Sequence, residues 1–255
     1  MRKPIFDTIR TQRGKGFTAE EVQAIDALLA RLGIEEDDAA VAPTAPDPVP
    51  TAGAAVGTVG LDNPPAFFDA VRASGVLGSA LKPDQVQGLE AVLGAARAAG
   101  WPLAFTAYAL ATAAHETAHT MQPVREAFWL SESWRRTHLR YYPFYGRGYV
   151  QLTWKANYEK ADRELGLGGR LTGNLDLAMD PDIAAKIMVK GMQEGWFAGD
   201  RTGQRHTLAR HVPAHGAASV DQFTSARRII NGTDKAGQIA GQALKFQTAL
   251  QAGGW

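Results

Sequence analysis

The residues best placed to do chemistry lie together in His115-Glu116-Thr117-Ala118-His119, inside an Ala-rich run expected to be helical from Phe105 to Thr120. An acid among small apolar neighbours is an unusual placement. Two chemistries compete for it. Histidines four apart on one helix face, with a glutamate between, match the His-Glu-x-x-His pattern in which both imidazoles bind zinc and the carboxylate activates a water. A catalytic zinc needs a third protein ligand. Where the longer form of that pattern carries a glycine and a third histidine, this chain has Gln122 and Arg125, so Glu159 or Glu164 would have to serve. The other chemistry uses Glu116 as a proton donor together with a second carboxylate. Pro123 should end the helix of Glu116 and set Glu126 on a separate segment.

The elements that must position these residues read as helices with short loops. Pro83 suits the first turn of a helix ending near Gly100, and Trp101-Pro102 restarts the chain before the Phe105–Thr120 run. Tyr141 to Gly148 is an aromatic, Gly-containing loop, and Tyr149 to Leu152 a short extended piece. Thr153 to Leu165 reads as a helix, and Asp180-Pro181 opens another with Ile183, Ile187 and Trp196 inward. Ser219-Val220-Asp221-Gln222 is a capping box, and Ile239, Ala243, Phe246 and Leu250 recur at the spacing of a last helix.

Upstream, residues 1–34 read as a small helical hairpin with a capping box at Thr18-Ala19-Glu20-Glu21, and residues 35–62 as a Pro/Ala-rich linker. The hairpin has an echo. Ile5-Phe6-Asp7-Thr8-Ile9-Arg10 returns as Phe67-Phe68-Asp69-Ala70-Val71-Arg72, and Val22-Gln23 as Val86-Gln87, which points to a duplication. The main domain is expected at 63–255.

Composition narrows the options. The chain has 255 residues, 45% of them hydrophobic, enough for one large domain plus an appendage. A net charge of +1 gives no global field toward nucleic acid or a membrane surface. Between Arg125 and Lys155, however, six basic residues face two acidic ones, a pattern that fits either a solvated face or an anionic polymer. The absence of cysteine excludes thiol catalysis, Cys-ligated zinc and disulfides. No stretch approaches the roughly 20 apolar residues of a membrane span. The opening residues do not read as a secretory signal, so the expectation is synthesis in the cytoplasm.

Several segments, in order, carry a resemblance. Ala107 to Thr117 resembles the catalytic helix of glycoside hydrolase family 19, the plant-type chitinases and phage endolysins. Tyr145-Gly146-Arg147-Gly148-Tyr149-Val150-Gln151-Leu152-Thr153 resembles that family's Tyr-Gly-Arg-Gly-x-x-Gln-Leu-Ser/Thr segment, with Asn157-Tyr158 at the matching distance. Asp180-Pro181, Trp196-Phe197 and Arg228-Ile229-Ile230-Asn231-Gly232 complete it, over about residues 65–251. The resemblance is nearest to the endolysin branch. It implies a mainly α, lysozyme-like helical domain with a deep cleft, here preceded by the hairpin and linker. It implies cleavage of β-1,4 bonds in peptidoglycan, or as the alternative in chitin, without a cofactor and without nucleic-acid or membrane partners. Release to the wall would then depend on a holin.

Residue by residue, the resemblance makes Glu116 the general acid, Glu126 the second carboxylate, with Glu132 its rival, and Thr153 the holder of the attacking water. It makes Tyr145, Arg147, Gln151, Asn157 and Asn231 substrate-binding, with Tyr149 shaping the cleft. Thr153 also stands where a helix N-cap would. An inverting glycosidase needs one protonated and one ionised carboxyl, about 6.5–9.5 Å apart. The apolar helix around Glu116 and Arg125 beside Glu126 predict that division. Where plant-type members carry a network arginine in the last helix, this chain has Gln242, so Asp234 or Lys235 is expected to take part instead. A zinc metalloprotease and a non-catalytic wall-binding protein are the competing classes.

Overall fold

A computed structural model describes residues 60–255. The hairpin expected at 1–34, and the linker up to residue 59, lie outside the described residues. The described chain is mainly α-helical, as expected. It belongs to two compact units: the larger holds 60–126 and 143–255, and Ala127–Tyr142 belongs to the other.

The larger unit is built on α3 (Leu103–Glu116), in which every residue from Ala104 to Ala114 is buried. A helix apolar on all sides has no face to offer water and becomes the interior. Its six alanines in that stretch let neighbours come close. The last helix, α10 (Ala236–Ala252), lies along α3 and also packs on α1 (Pro64–Ser74) and α9 (Val220–Ala226). Ile239, Ala243, Phe246 and Leu250 are its buried face, as their spacing predicts. On another side of α3, α2 (Pro83–Ala98) packs on α7 (Pro181–Glu194). Gly88 makes the approach of α2 possible, since a side chain there would put Cβ 1.8 Å from the Met121 carbonyl oxygen.

Several boundaries were legible. Pro83 opens α2, the Asp180 carboxylate caps α7 by accepting from the amides of Asp182 and Ile183, and Ser219 and Gln222 form the capping box of α9. Two expectations need correction. The α3 helix ends at Glu116, not Thr120. The Thr117 hydroxyl donates to the Ala113 carbonyl (2.7 Å) and accepts from the Met121 amide (3.0 Å), which folds the chain back. Ala118, His119 and Met121 then take left-handed backbone, with φ of 50°, 65° and 56°. The helix expected from Thr153 starts only at Lys155, as α5 (Lys155–Glu164), because Trp154 is itself left-handed at φ 76°.

The remaining elements are short. A two-residue antiparallel ribbon pairs β1 (Val124–Arg125) with β2 (Arg147–Gly148), Val124 opposite Gly148 and Arg125 opposite Arg147. Arg147 and Leu152 exchange backbone hydrogen bonds, so the piece expected to be extended turns back on the ribbon. The one-turn α6 (Arg170–Gly173) and a 3₁₀ turn, Leu175–Met179, lead to α7, and another 3₁₀ turn, Arg227–Ile229, follows α9. In the other unit, α4 (Glu132–His138) is capped by Ser131. There the buried Arg135 guanidinium donates to the Ala127 and Leu130 carbonyls and pairs with Glu132 at 3.1 Å.

Candidate active site

Glu116 is the last residue of the buried helix α3, and its side chain is 18% exposed. The surroundings expected for it were apolar. The structure corrects this. Arg227, fully buried on the 3₁₀ turn after α9, donates through Nη1 to Glu116 Oε1 at 2.6 Å. Its Nε donates to the Asp234 carbonyl at 2.9 Å, which fixes the fork. Asp234 therefore takes part through its backbone. Gln242, the residue in place of the last-helix arginine, turns instead to His119, with the two Nε2 atoms 2.8 Å apart. The chain thus supplies an arginine to Glu116 from a different element. The only signal for it in the sequence was the position immediately before Arg228 in the Arg-Ile-Ile-Asn-Gly segment.

The histidines fall on either side of a helix end. His119 lies past the terminus of α3, so the two rings do not share a helical face, and the zinc geometry read from their spacing is not formed. Among the described residues no group of three His, Cys, Asp or Glu side chains is placed to hold a metal ion. The His115 ring titrates below its ordinary value, because burial disfavours the cation. Glu116 pulls the other way, while Arg227, Lys235 and His119 add to the lowering.

Glu126 follows the ribbon directly. Its amide donates to the Gly146 carbonyl (2.7 Å), and the Gly146 amide donates back to Glu126 Oε2 (2.9 Å). Gly146 is required here: a Cβ on it would stand 2.6 Å from Gln151 Oε1 and 3.2 Å from Glu126 Oε2. Gln151 closes the arrangement by donating to the Val124 carbonyl at 3.1 Å. Its place at the ribbon is thus a bridging one.

Two of the residues expected at substrate are buried. Arg147 is 4% exposed and donates through Nε to Asp176 and through Nη1 to the Pro143 and Tyr145 carbonyls and the Tyr158 hydroxyl. Tyr145 is 2% exposed with its ring 3.7 Å from that guanidinium. The two side chains form a buried hub at β2. Tyr149, also buried, donates to the Met121 carbonyl. With Arg125 and Arg147 held by Asp176 and Arg135 turned inward, half of the basic residues counted between Arg125 and Lys155 serve the fold.

Thr153 is not the cap of α5. Its hydroxyl donates to the Gln151 carbonyl (2.7 Å), which leaves the oxygen to accept. Asn157 donates its amide to the Thr153 carbonyl (2.8 Å) and so steadies the same turn. Gln151 and Trp154 flank Thr153 in left-handed backbone (φ 53° and 76°), and non-glycine strain of this kind concentrates at functional sites. Trp154 is 45% exposed, an aromatic face beside the turn that the sequence reading passed over. Asn231 is exposed in the loop between Arg227 and α10.

No protein-family model matches the chain. Over 105 residues it is 33% identical to the acidic 26 kDa endochitinase of Solanum lycopersicum, covering 37% of this chain and 38% of that one. The acidic endochitinase pcht28 of Solanum chilense is 33% identical over 106 residues, covering 35% and 36%. The chain is chitinase-like over that stretch. It spans less than two fifths of the length of these relatives. Among solved structures, chitinase C from Streptomyces griseus HUT6037 aligns over 73% of this chain and 68% of its own, at 21% identity and a TM-score of 0.41.

Proposed function

We propose that the chain is a glycoside hydrolase that cleaves β-1,4 bonds between N-acetylhexosamines with inversion, Glu116 acting as general acid and Glu126 as general base. The observation that carries this reading is the way the two carboxylates are held. Glu116 Oε1 is clamped by a buried arginine and Glu126 Oε2 is fixed by a backbone amide, so both carboxylates are held in set positions. Glu116 Oε2 delivers its proton to the glycosidic oxygen as the bond to the anomeric carbon breaks. Charge then develops on Glu116, and Arg227 already stands within hydrogen-bond distance to receive it. Glu126 takes one proton from a water attacking the opposite face. Thr153, whose own hydrogen is committed to Gln151, accepts a hydrogen bond from that water's other proton. One water is consumed and one new reducing end appears.

The resemblance to the endolysin branch supports peptidoglycan as the polymer, with lysis of the wall as the outcome. A second reading, chitin, is supported by the named activity of the two Solanum relatives. Both polymers should be digested with the wild type and with Glu116→Gln, and the products read by mass spectrometry and by NMR of the fresh anomeric centre. The expected result is cut glycan chains, inverted products and a loss of at least about 10³-fold in kcat for the variant. Intact glycan on both polymers, or products that retain configuration, would sink the proposal.

A further inference from the structure

Two hydroxyls are buried within α3, on Tyr108 and Thr112, and among the described residues neither has a partner at hydrogen-bond distance. A buried hydroxyl left in that state costs stability. The neighbouring threonines avoid the cost by bonding back one turn. Thr106 donates to the Pro102 carbonyl at 3.2 Å and Thr117 to the Ala113 carbonyl at 2.7 Å. Thr112 makes no such bond. Tyr108, Thr112 and Glu116 are spaced four apart and so share one face of α3. Helical side chains lean back toward the N-terminus, which carries the Glu116 side chain over the turn that holds Thr112.

The Tyr108 oxygen belongs to the same group. Burial holds the phenol well above its ordinary value, Thr112 and Arg227 work the other way, and Glu116 adds to the rise. The oxygen therefore stands by the Thr112 hydroxyl and in the field of both members of the Glu116–Arg227 pair. Its ring is stacked on Phe223 of α9, with centroids 6.3 Å and planes 12° apart. That helix runs into the turn bearing Arg227, so one element sets both tyrosine and arginine. The other titratable and charged groups near Glu116 are His115 beside it on α3, and Lys235 and His119, which act on His115. A hydroxyl with no fixed partner turns its hydrogen freely. Inside a site closed to water, such a dipole stabilises charge far more than it does in solution.

We propose that the Tyr108 and Thr112 hydroxyls serve Glu116: their hydrogens turn toward its carboxylate as the proton leaves, and they share with Arg227 the charge left behind. Both are positioning residues, acting through the acid without touching substrate. The inference rests on Glu116 being the general acid. Glycan hydrolysis should be followed across pH for Tyr108→Phe, Thr112→Val and Thr112→Ser, with thermal unfolding of each. Tyr108→Phe and Thr112→Val should each lower kcat about three- to tenfold, with KM within about twofold. A less stabilised carboxylate gives up its proton less readily, so the loss of kcat at high pH should begin about half a unit later in both. Melting temperatures should hold or rise, because each change removes a buried hydroxyl that no protein group satisfies. Thr112→Ser, which keeps the hydroxyl, should keep the wild-type profile. The high-pH limb decides. A limb that moves in both variants and stays in Thr112→Ser supports the proposal, whatever the melting temperature does. A limb unmoved in either Tyr108→Phe or Thr112→Val overturns it, even where kcat falls, since a loss of packing alone leaves the limb in place. Glu116→Gln separates the two levels. Full activity in that variant overturns the reading of Glu116 and this proposal with it, whereas its inactivity beside an unmoved limb overturns this proposal alone.

Discussion

In the proposed reaction the proton chemistry turns on the contact between Arg227 and Glu116, and they are unequal partners: the arginine is 1% exposed and the glutamate side chain 18%. Removing one member of a buried pair strands the other, at a cost of about 3–5 kcal/mol when both are fully buried. Partial exposure of Glu116 sets the expectation for Arg227→Met at the low end, about 3 kcal/mol. The same variant should lose about 10²-fold in kcat, since the charge left on Glu116 after proton transfer has no counterpart. Chemical denaturation and steady-state kinetics on one preparation check both. Arg227→Lys should recover part of the activity and little of the stability, because an ammonium cannot serve Glu116 and the Asp234 carbonyl in the planar fork of a guanidinium. At this scale the sequence was informative about carboxylates and weak on their partners. Glu116 and Glu126 stand out by type and neighbourhood. Arg227 does not, because what distinguishes it from Arg228 is which one the turn after α9 points inward.

The ribbon and the turn that follows it depend on glycine where the chain must pass close to other groups. Gly146→Ala should shift Glu126 and Gln151 by a few tenths of an ångström or more, since the new Cβ would collide with both. The expected outcome is a fall in kcat of about 10²-fold with a small change in melting temperature, measurable by kinetics and differential scanning calorimetry. Gly88→Ala has the opposite profile. The collision is with the backbone carbonyl of Met121, which cannot swing away, and stability should fall by about 2 kcal/mol or more. Helix starts were legible because proline, serine and aspartate cap by local chemistry. The end of α3 was not. Its last four expected residues, Thr117-Ala118-His119-Thr120, contain no proline or glycine to mark a stop, and they leave the helix because Thr117 binds back on Ala113 and the chain then enters left-handed backbone at non-glycine residues. Within the Tyr-Gly-Arg-Gly segment, the burial of Tyr145 and Arg147 was not legible. Sequence pattern marks such residues as special and does not say whether they face outward.

For the molecule as a whole, acid sensitivity is predicted by a histidine pair far from the carboxylates in sequence. His206 Nδ1 and His211 Nε2 are 3.0 Å apart, and His211 Nδ1 is 2.9 Å from the Ser225 hydroxyl, linking α8 (Leu208–His211) to α9. Burial, then His206, Arg210 and Arg228, push His211 down to about 4 from the ordinary 6.5. A histidine lowered on folding is protonated first in the unfolded chain. Stability should therefore decline as pH falls from 6.5 toward 4, and His211→Gln should flatten that part of the curve in urea titrations across the window. Because α9 runs directly into the turn that bears Arg227, the same linkage supports the site. Assembly of that site is also an event in time. Glu116 and Arg227 are 111 positions apart, so a growing polypeptide exposes the acid long before its arginine has been translated. Truncated products that stop short of residue 227 would carry both carboxylates without the arginine, so the proposed hydrolytic competence would be acquired only once residue 227 has been added.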